Sequence, residues 1–521
     1  MRWAWRALAL AALVAGVASA LCSAALAAPT APLGHSGRWI TDAKGRVVIL
    51  HGVNMVYKRP PYYPAAAGFG RDDASFLQRH GFNTVRLGLI YKGVEPSPGS
   101  YDDGYLDQIA ATESLLARHG IFSQLDLHQD MYNERFQGEG WPDWAVQDDG
   151  LPNSPQLGFP TNYFGMPALI HAFDHFWAND TGPGAIGLQD RYATAWAHIA
   201  ARFARARHTL GFDLMNEPWP GTPWINCFTV AGCPEFDIGV MGPFYRRVLA
   251  QIRSAVRRKL VWYEPNVLFN FGADTSIPGL GDRSAGFSFH VYCTPGLAVA
   301  PYDTAGCDAL DDHVLSNADK RAQATGDALL LSEFGATDDL ATIQLNVQQA
   351  DRHMVSWQYW HYCECLDPTT AGSGVQAIVV DPSQPPAWSN VKREKVDVLS
   401  EPYPQLVAGT PRSYGFDPTT QTFRLSYSTE GPGGKRFAPR LRKRTKRAVK
   451  ARGTEIFLGR GHYPKGYRAS VEGGAIVSTP RATLLRVIAC AHRRQVTVTV
   501  GPPDSGVRKH VDCGIAPKRR R

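Results

Sequence analysis

Past its first 27 residues the 521-residue chain holds no stretch apolar enough to cross a bilayer, a span of about 20 residues. It holds no paired C-x-x-C units, which argues against a structural zinc site. No glycine-rich turn follows the first strand candidate, 47–54, and this weighs against an open doubly wound sheet built to bind a nucleotide. Nor does that first strand end in the H-x-H of a metal-dependent barrel hydrolase: Val53-x-Met55 stands there instead. Charged residues are 20% and hydrophobic ones 44% of the chain, which excludes global disorder and a collagen-like repeat.

What is present begins with a leader. Arg2 and Arg6 precede small or apolar residues from 7 to 21, and Ala25-Leu26-Ala27 supplies an A-x-A cleavage site. A signal peptide over 1–27 and a secreted, extracellular protein are expected. Cys22 offers a lipoprotein alternative, but Leu21 before it is large where a small residue belongs. Without Cys22 eight cysteines remain, and an even count in an exported chain reads as disulfides. Nearest neighbours would pair Cys227 with Cys233, Cys293 with Cys307 and Cys490 with Cys513. A Cys363–Cys365 bridge is doubtful, because a two-residue spacing makes a strained ring.

Charge is unevenly placed. The formal net charge is +8, or +6 without the two leader arginines. Residues 435–452 hold ten Lys/Arg and no acid, and 518–521 hold four more, so the remaining body carries −8. The basic insertion and tail are solvated appendages suited to peripheral contact with an anionic membrane or cell surface. Nucleic acid is not an expected partner, since these runs hold a single aromatic, Phe437, in an exported chain. A monomer is expected.

Eight short apolar runs recur at 47–54, 83–89, 121–128, 209–218, 260–265, 286–292, 328–335 and 355–361. Helical periodicity lies between several of them: Tyr192, Trp196, Ile199 and Phe203 in one segment, Phe244, Val248, Ile252 and Val256 in another. Strands interleaved with helices in this number predict an α/β fold, a (β/α)8 TIM barrel, over 28–407. After 408 the runs turn β-branched and lose their helices, which predicts a C-terminal β-sandwich with the basic insertion between two of its strands. Between the third and fourth strands lies an outsized connection, 129–188, rich in aromatic rings. A loop of that length either carries function or is stapled down by its rings, and both can hold.

The strand ends are chemically able: Asn54, Arg86, His128, Asn216-Glu217, Glu264, His290 to Tyr292, Glu333 and Trp360. In a barrel all of these emerge on one face, where catalysis takes place. Glu217 and Glu333, in Asn216-Glu217-Pro218 and Ser332-Glu333-Phe334-Gly335, form a carboxylate pair of the kind glycoside hydrolysis uses. On these motifs, with Arg86, His128, His290, Tyr292 and Trp360, the chain resembles the clan A glycoside hydrolases of family 5. On residues 125–130, 172–177, 401–404 and 408–411 it is similar to their endoglycoceramidase group.

The resemblance implies Glu333 as nucleophile and Glu217 as acid/base in a retaining double displacement. Arg86 and Tyr292 would hold Glu333, Asn216 would meet the sugar 2-OH, and Trp360 would form the platform under the sugar. His128 and His290 would bind sugar hydroxyls or the catalytic carboxylates. Asp130 and Lys58 match positions that contact the sugar next to ceramide, whereas Asp126 and Glu264 are read as structural carboxylates. No cofactor or metal is expected. The expected activity is cleavage of the bond between a glycan and a lipid aglycone such as ceramide. The alternatives are a family 5 cellulase or β-glucanase, a β-glucosidase acting on glucosylceramide or steryl glucoside, and a non-enzymatic surface-binding module.

Overall fold

The computed structural model describes residues 29–293, 304–370, 372, 374–438, 452–508, 510 and 513. The leader 1–27, the basic segment 439–451 and the tail 518–521 lie outside the described residues. Eight strands close into a parallel barrel: β1 His51–Met55, β2 Thr84–Ile90, β3 Phe122–His128, β4 Thr209–Asp213, β5 Leu260–Tyr263, β6 Ala285–Val291, β7 Ala328–Phe334 and β8 Ser356–Tyr359. Each pairs in parallel with the next, and β8 returns to β1. Every residue of all eight is buried, which is why they read as continuous apolar runs rather than alternating ones.

In two of the eight runs, 47–54 and 209–218, four or five residues lie outside the barrel strand. Val47–Val48 leaves the first run and joins an antiparallel sheet outside the barrel. In the fourth run the strand stops at Asp213 and the chain goes on as a loop that presents Glu217. That loop is held from outside the barrel by the predicted helical stripe. The helix Leu188–Arg202 buries Tyr192, Trp196 and Ile199, and both the Tyr192 hydroxyl (2.7 Å) and the Trp196 indole N–H (3.0 Å) donate to the Leu214 carbonyl. The helix Gly242–Ala255 buries Phe244, Val248 and Ile252, and its Tyr245 hydroxyl donates to the Glu264 carbonyl at 2.9 Å. Both helices therefore cover the apolar wall and fix the backbone beside a strand end.

The C-terminal region is a two-sheet sandwich. Its four-stranded sheet is Thr410–Asp417, Thr422–Ser428, Gln495–Gly501 and Arg468–Glu472. The seven-stranded sheet takes Tyr403–Val407 and three strands that precede the barrel, Gly34–Ser36, Trp39–Thr41 and Val47–Val48, so the sandwich is built from both ends of the chain. Tyr403 stacks on His51 at 3.6 Å and donates its hydroxyl to the Gly81 carbonyl, tying sandwich to barrel.

Most rings of the 129–188 connection staple it down. Tyr132 lies parallel to Trp141 at 4.3 Å, and Phe173 and Phe176 meet Trp141 edge-on. Phe164 is different: it stays 38% exposed and packs edge-on against Trp219 and Trp224. All eight cysteines outside the leader are paired, 227 with 233, 293 with 307, 363 with 365 and 490 with 513. The Cys363–Cys365 bridge departs from the expectation. The two Cα atoms lie 5.2 Å apart, within disulfide reach.

Candidate active site

Arg86, at the centre of β2, is fully buried and organises the mouth of the barrel. Its Nε donates to Asp213 at 3.0 Å, and Nη2 reaches Glu264 at 2.8 Å, Asn216 at 3.0 Å and Asp126 at 3.0 Å. Nη1 donates to Glu333 and, at 3.3 Å, to Asn54. A planar guanidinium has five N–H donors in a fixed fork, and six side chains from β1, β3, β4, β5, β7 and the loop after β4 converge on it. One positive charge does not balance four carboxylates. Burial, with Glu264 beside it, pushes the Asp213 carboxyl well above its usual range. His290, although buried, is pushed well above its usual value by Glu264 and Glu333.

Glu333 lies at the end of β7. Oε1 accepts from Arg86, and Oε2 accepts the Tyr292 hydroxyl at 2.7 Å, with His290 Nδ1 at 3.5 Å. The glycine two residues on is required locally. Gly335 has φ +98°, and a Cβ there would lie 2.3 Å from the Tyr359 ring.

Glu217 follows β4 with φ +43°, an uncommon conformation for a residue with a side chain. It is held on the backbone side by Glu264, whose Oε2 accepts the Glu217 N–H at 2.9 Å, and by the Gln129 amide, which donates to the Glu217 carbonyl at 3.2 Å. On the carboxylate side Oε1 accepts from Asn270 and from His290, each at 2.8 Å. Burial chiefly raises the Glu217 carboxyl pKa; His290 opposes the shift and the negative Glu333 adds to it. Oxygens of Glu217 and Glu333 and the ring nitrogen of His290 all lie within 4.8 Å of one another.

The rest of the predicted set gathers one step away. Asp126 accepts from His128 Nδ1 at 2.7 Å, and His128 Nε2 faces Asp130 at 3.5 Å. Burial would lower the imidazole pKa, but Asp126 and Asp130 raise it to about 9. The Trp360 ring stacks on His128 at 5.3 Å and carries the Lys58 ammonium 4.6 Å from its centroid. Lys58 is buried and donates to Asp130 at 2.6 Å and Thr369 at 2.7 Å, with Asp367 at 3.3 Å and Glu139 at 3.7 Å. Despite burial, these carboxylates raise its pKa well above the usual lysine value. His128, Asp130 and Glu139 have atoms close enough to share a metal ion, but the Lys58 ammonium already supplies the positive charge there.

All ten predicted site residues are thus brought to one mouth. Sequence reading missed several partners. Glu264, taken as structural, grips Arg86 and the Glu217 backbone, and its strand-end position was the available signal. Asn270 comes from the 3-10 turn Val267–Phe271, and Gln376, which accepts the Trp360 indole N–H at 2.9 Å, comes from a loop after β8. Neither carries a pattern.

A family profile described as cellulase (glycosyl hydrolase family 5) matches residues 41–365, and one for the glycoside hydrolase family 5 C-terminal domain matches 402–500. The chain belongs to glycoside hydrolase family 5. Endoglycoceramidase I of Rhodococcus hoagii (strain 103S) is 33% identical over 494 residues, 92% of this chain and 90% of that protein. An endoglycoceramidase of Hydra vulgaris is 26% identical, covering 83% and 81%. The structure of endo-glycoceramidase II from Rhodococcus sp. superposes with a TM-score of 0.70 at 28% identity, over 88% of this chain and 98% of that one. The family 5 chain is therefore a glycoside hydrolase acting on O-glycosyl bonds, on an endoglycoceramidase-like framework.

Proposed function

We propose that the protein is a secreted retaining hydrolase that releases an intact glycan from a lipid aglycone, with Glu333 as nucleophile and Glu217 as acid/base. The observation that carries this reading is the contrast between two carboxylates whose oxygens lie within 4.8 Å. Glu333 accepts from a guanidinium and a phenol. Glu217 is held by an amide and by His290, and burial raises its carboxyl pKa. Close carboxyl groups suit a covalent intermediate, because an inverting enzyme keeps its pair about 6.5–9.5 Å apart to admit water.

Glu217 gives its proton to the glycosidic oxygen as Glu333 bonds to the anomeric carbon, and the lipid alcohol departs. Glu217, having given up its proton, is then a carboxylate; with Glu333 neutralised in the ester it stays ionised and can take a proton from the attacking water. Asn216 spends Oδ1 on Arg86 and one amide hydrogen on the Gln129 carbonyl at 3.0 Å, so its second hydrogen remains for the sugar 2-OH. Lys58, Asp130 and Trp360 serve the sugar, and so does His128. His290 acts on the catalytic carboxylates instead.

The lipid end is read from the loop after Glu217. Trp219, Trp224 and Phe228 meet Phe164 of the long connection, and Ile225, Phe228 and Val230 are 67%, 55% and 76% exposed. An apolar apron beside a polar mouth suits a substrate with a sugar at one end and hydrocarbon at the other. The endoglycoceramidase relatives support the same choice over a soluble glucan. The test is digestion of a defined ganglioside, glucosylceramide and a soluble β-glucan, each with and without detergent. Intact oligosaccharide plus ceramide is expected; cleavage of the glucan alone would overturn the lipid reading. Removal of 1–27 on export, a monomeric state and contact of 435–452 with anionic surfaces belong to the same proposal. Deleting that segment is expected to weaken salt-dependent liposome binding.

A further inference from the structure

The helix Pro167–Ala178 carries His171 and His175 one turn apart. Facing them across the long connection is Asp149. Its Oδ2 lies 3.1 Å from His171 Nδ1 and 3.0 Å from His175 Nε2. The other nitrogen of His175, Nδ1, is bonded to Asp180 Oδ2 at 2.5 Å. We propose that Asp149, His171 and His175 form a binding site for a zinc-type divalent cation that clamps the base of the 149–171 loop, independently of the catalytic mouth.

Four features point to a cation. The three donor atoms converge from two segments, and all lie within 4.8 Å of one another. Tetrahedral zinc with bonds of about 2.0–2.1 Å sets its ligand atoms roughly 3.3 Å apart, so the observed separations from Asp149 need to open by only a few tenths of an ångström. Two imidazoles and one carboxylate are a borderline-soft set that suits zinc over magnesium or calcium. Asp180 binds the far nitrogen of His175, which fixes the ring and makes its metal-facing nitrogen a better ligand. The residues are partly exposed, which leaves room for water as fourth ligand.

Without a cation Asp149 Oδ2 accepts from both rings, and Asp149 and Asp180 favour a doubly protonated His175 between them; a bound cation would take the place of that proton. It would close a 22-residue loop that bears Phe159, Tyr163 and Phe164, and so steady the apolar apron from its base.

The experiment is calorimetric titration of chelator-treated full-length protein with zinc chloride, in parallel with cobalt(II) absorption between about 500 and 650 nm, where tetrahedral sites absorb. Wild type is expected to bind one equivalent that His171→Ala and Asp149→Asn each weaken at least about tenfold. Glu217→Gln should bind it unchanged, since that carboxylate belongs to the other cluster. Zinc should raise the Tm of wild type but not of His171→Ala, with circular dichroism checking the variant's fold. Binding that tightens from about pH 6 to pH 8 is expected, because a proton on His175 competes. Equal binding by wild type and His171→Ala, or no binding below millimolar zinc, would overturn the site.

Discussion

Replacing Glu333 with Gln removes one negative charge while keeping the side chain's size, and it tests the electrostatic coupling to Glu217 directly. The two carboxylates have oxygens within 4.8 Å. At an effective dielectric of about 20, unit charges at that distance interact by roughly 3.5 kcal/mol, or about 2.5 pH units. Water at the mouth lowers this, so a fall of the Glu217 pKa by about 1 to 2.5 units is expected in Glu333→Gln. Burial continues to raise that pKa in the variant and His290 to oppose the rise. The assay is a pH titration of carboxyl carbons by NMR in glutamate-labelled protein, with the Glu217 resonance identified by its loss in Glu217→Gln. In active enzyme the basic limb of kcat/KM reports the same group in the free state. An unchanged Glu217 titration in Glu333→Gln would refute the coupling and, with it, the way the acid is proposed to become a base.

Tyr292→Phe removes one hydrogen bond to Glu333 at 2.7 Å; a bond to a charged group is worth about 1.5–3 kcal/mol, so kcat/KM should fall about 10- to 150-fold while circular dichroism is unchanged. Lys58→Met leaves Asp130 and Asp367 buried without their cation and should cost about 3–5 kcal/mol of stability at neutral pH, measured by denaturant unfolding. The sign follows from linkage: Lys58 lowers both carboxyl pKa values, so their stabilisation is fully present above the unfolded value near 4 and is lost as pH falls from there through the lowered folded-state values, and the deficit should shrink over that range. Phe164→Ala should reduce turnover of a glycolipid several-fold more than turnover of a soluble aryl glycoside; equal losses on both would make the apron a packing feature.

The barrel was legible in the sequence because parallel strands buried on both faces appear as short apolar runs, and because those runs carry Arg86, His128, Glu217, His290 and Glu333. The three short strands before the barrel were not legible, since pieces of two or three residues make no pattern and join the sandwich only where Val47–Val48 pairs with Tyr403–Val407. Strand ends also gave the principal site residues, but not the groups that loops deliver. Asn270 lies in a turn without periodicity, and Thr369, Asp367 and Gln376 come from the irregular segment after β8 that follows the Cys363–Cys365 bridge. Spacing alone argued against that bridge, since residue counting does not show how close the backbone brings the two Cα atoms.

The difference between the two glutamates is fixed by which of them the guanidinium touches. Asp126, Asp213, Glu264 and Glu333 all contact Arg86, whereas the hydrogen bonds to the Glu217 carboxylate come from Asn270 and His290. Glu264 joins the two halves: one oxygen accepts from Arg86 and the other fixes the Glu217 N–H, so the charge that settles Glu333 and the backbone that aims Glu217 depend on one side chain. Replacing Glu264 by Ala would therefore disturb both glutamates at once, through a residue placed to touch neither the sugar nor the reacting bond. Glu264→Gln keeps one carbonyl oxygen and can satisfy only one of the two partners. Partial retention of activity in the Gln variant, against near-complete loss in Ala with the fold intact, is the pattern that a positioning role demands; equal activity in both would mean that Arg86 and the Glu217 backbone are held well enough without it.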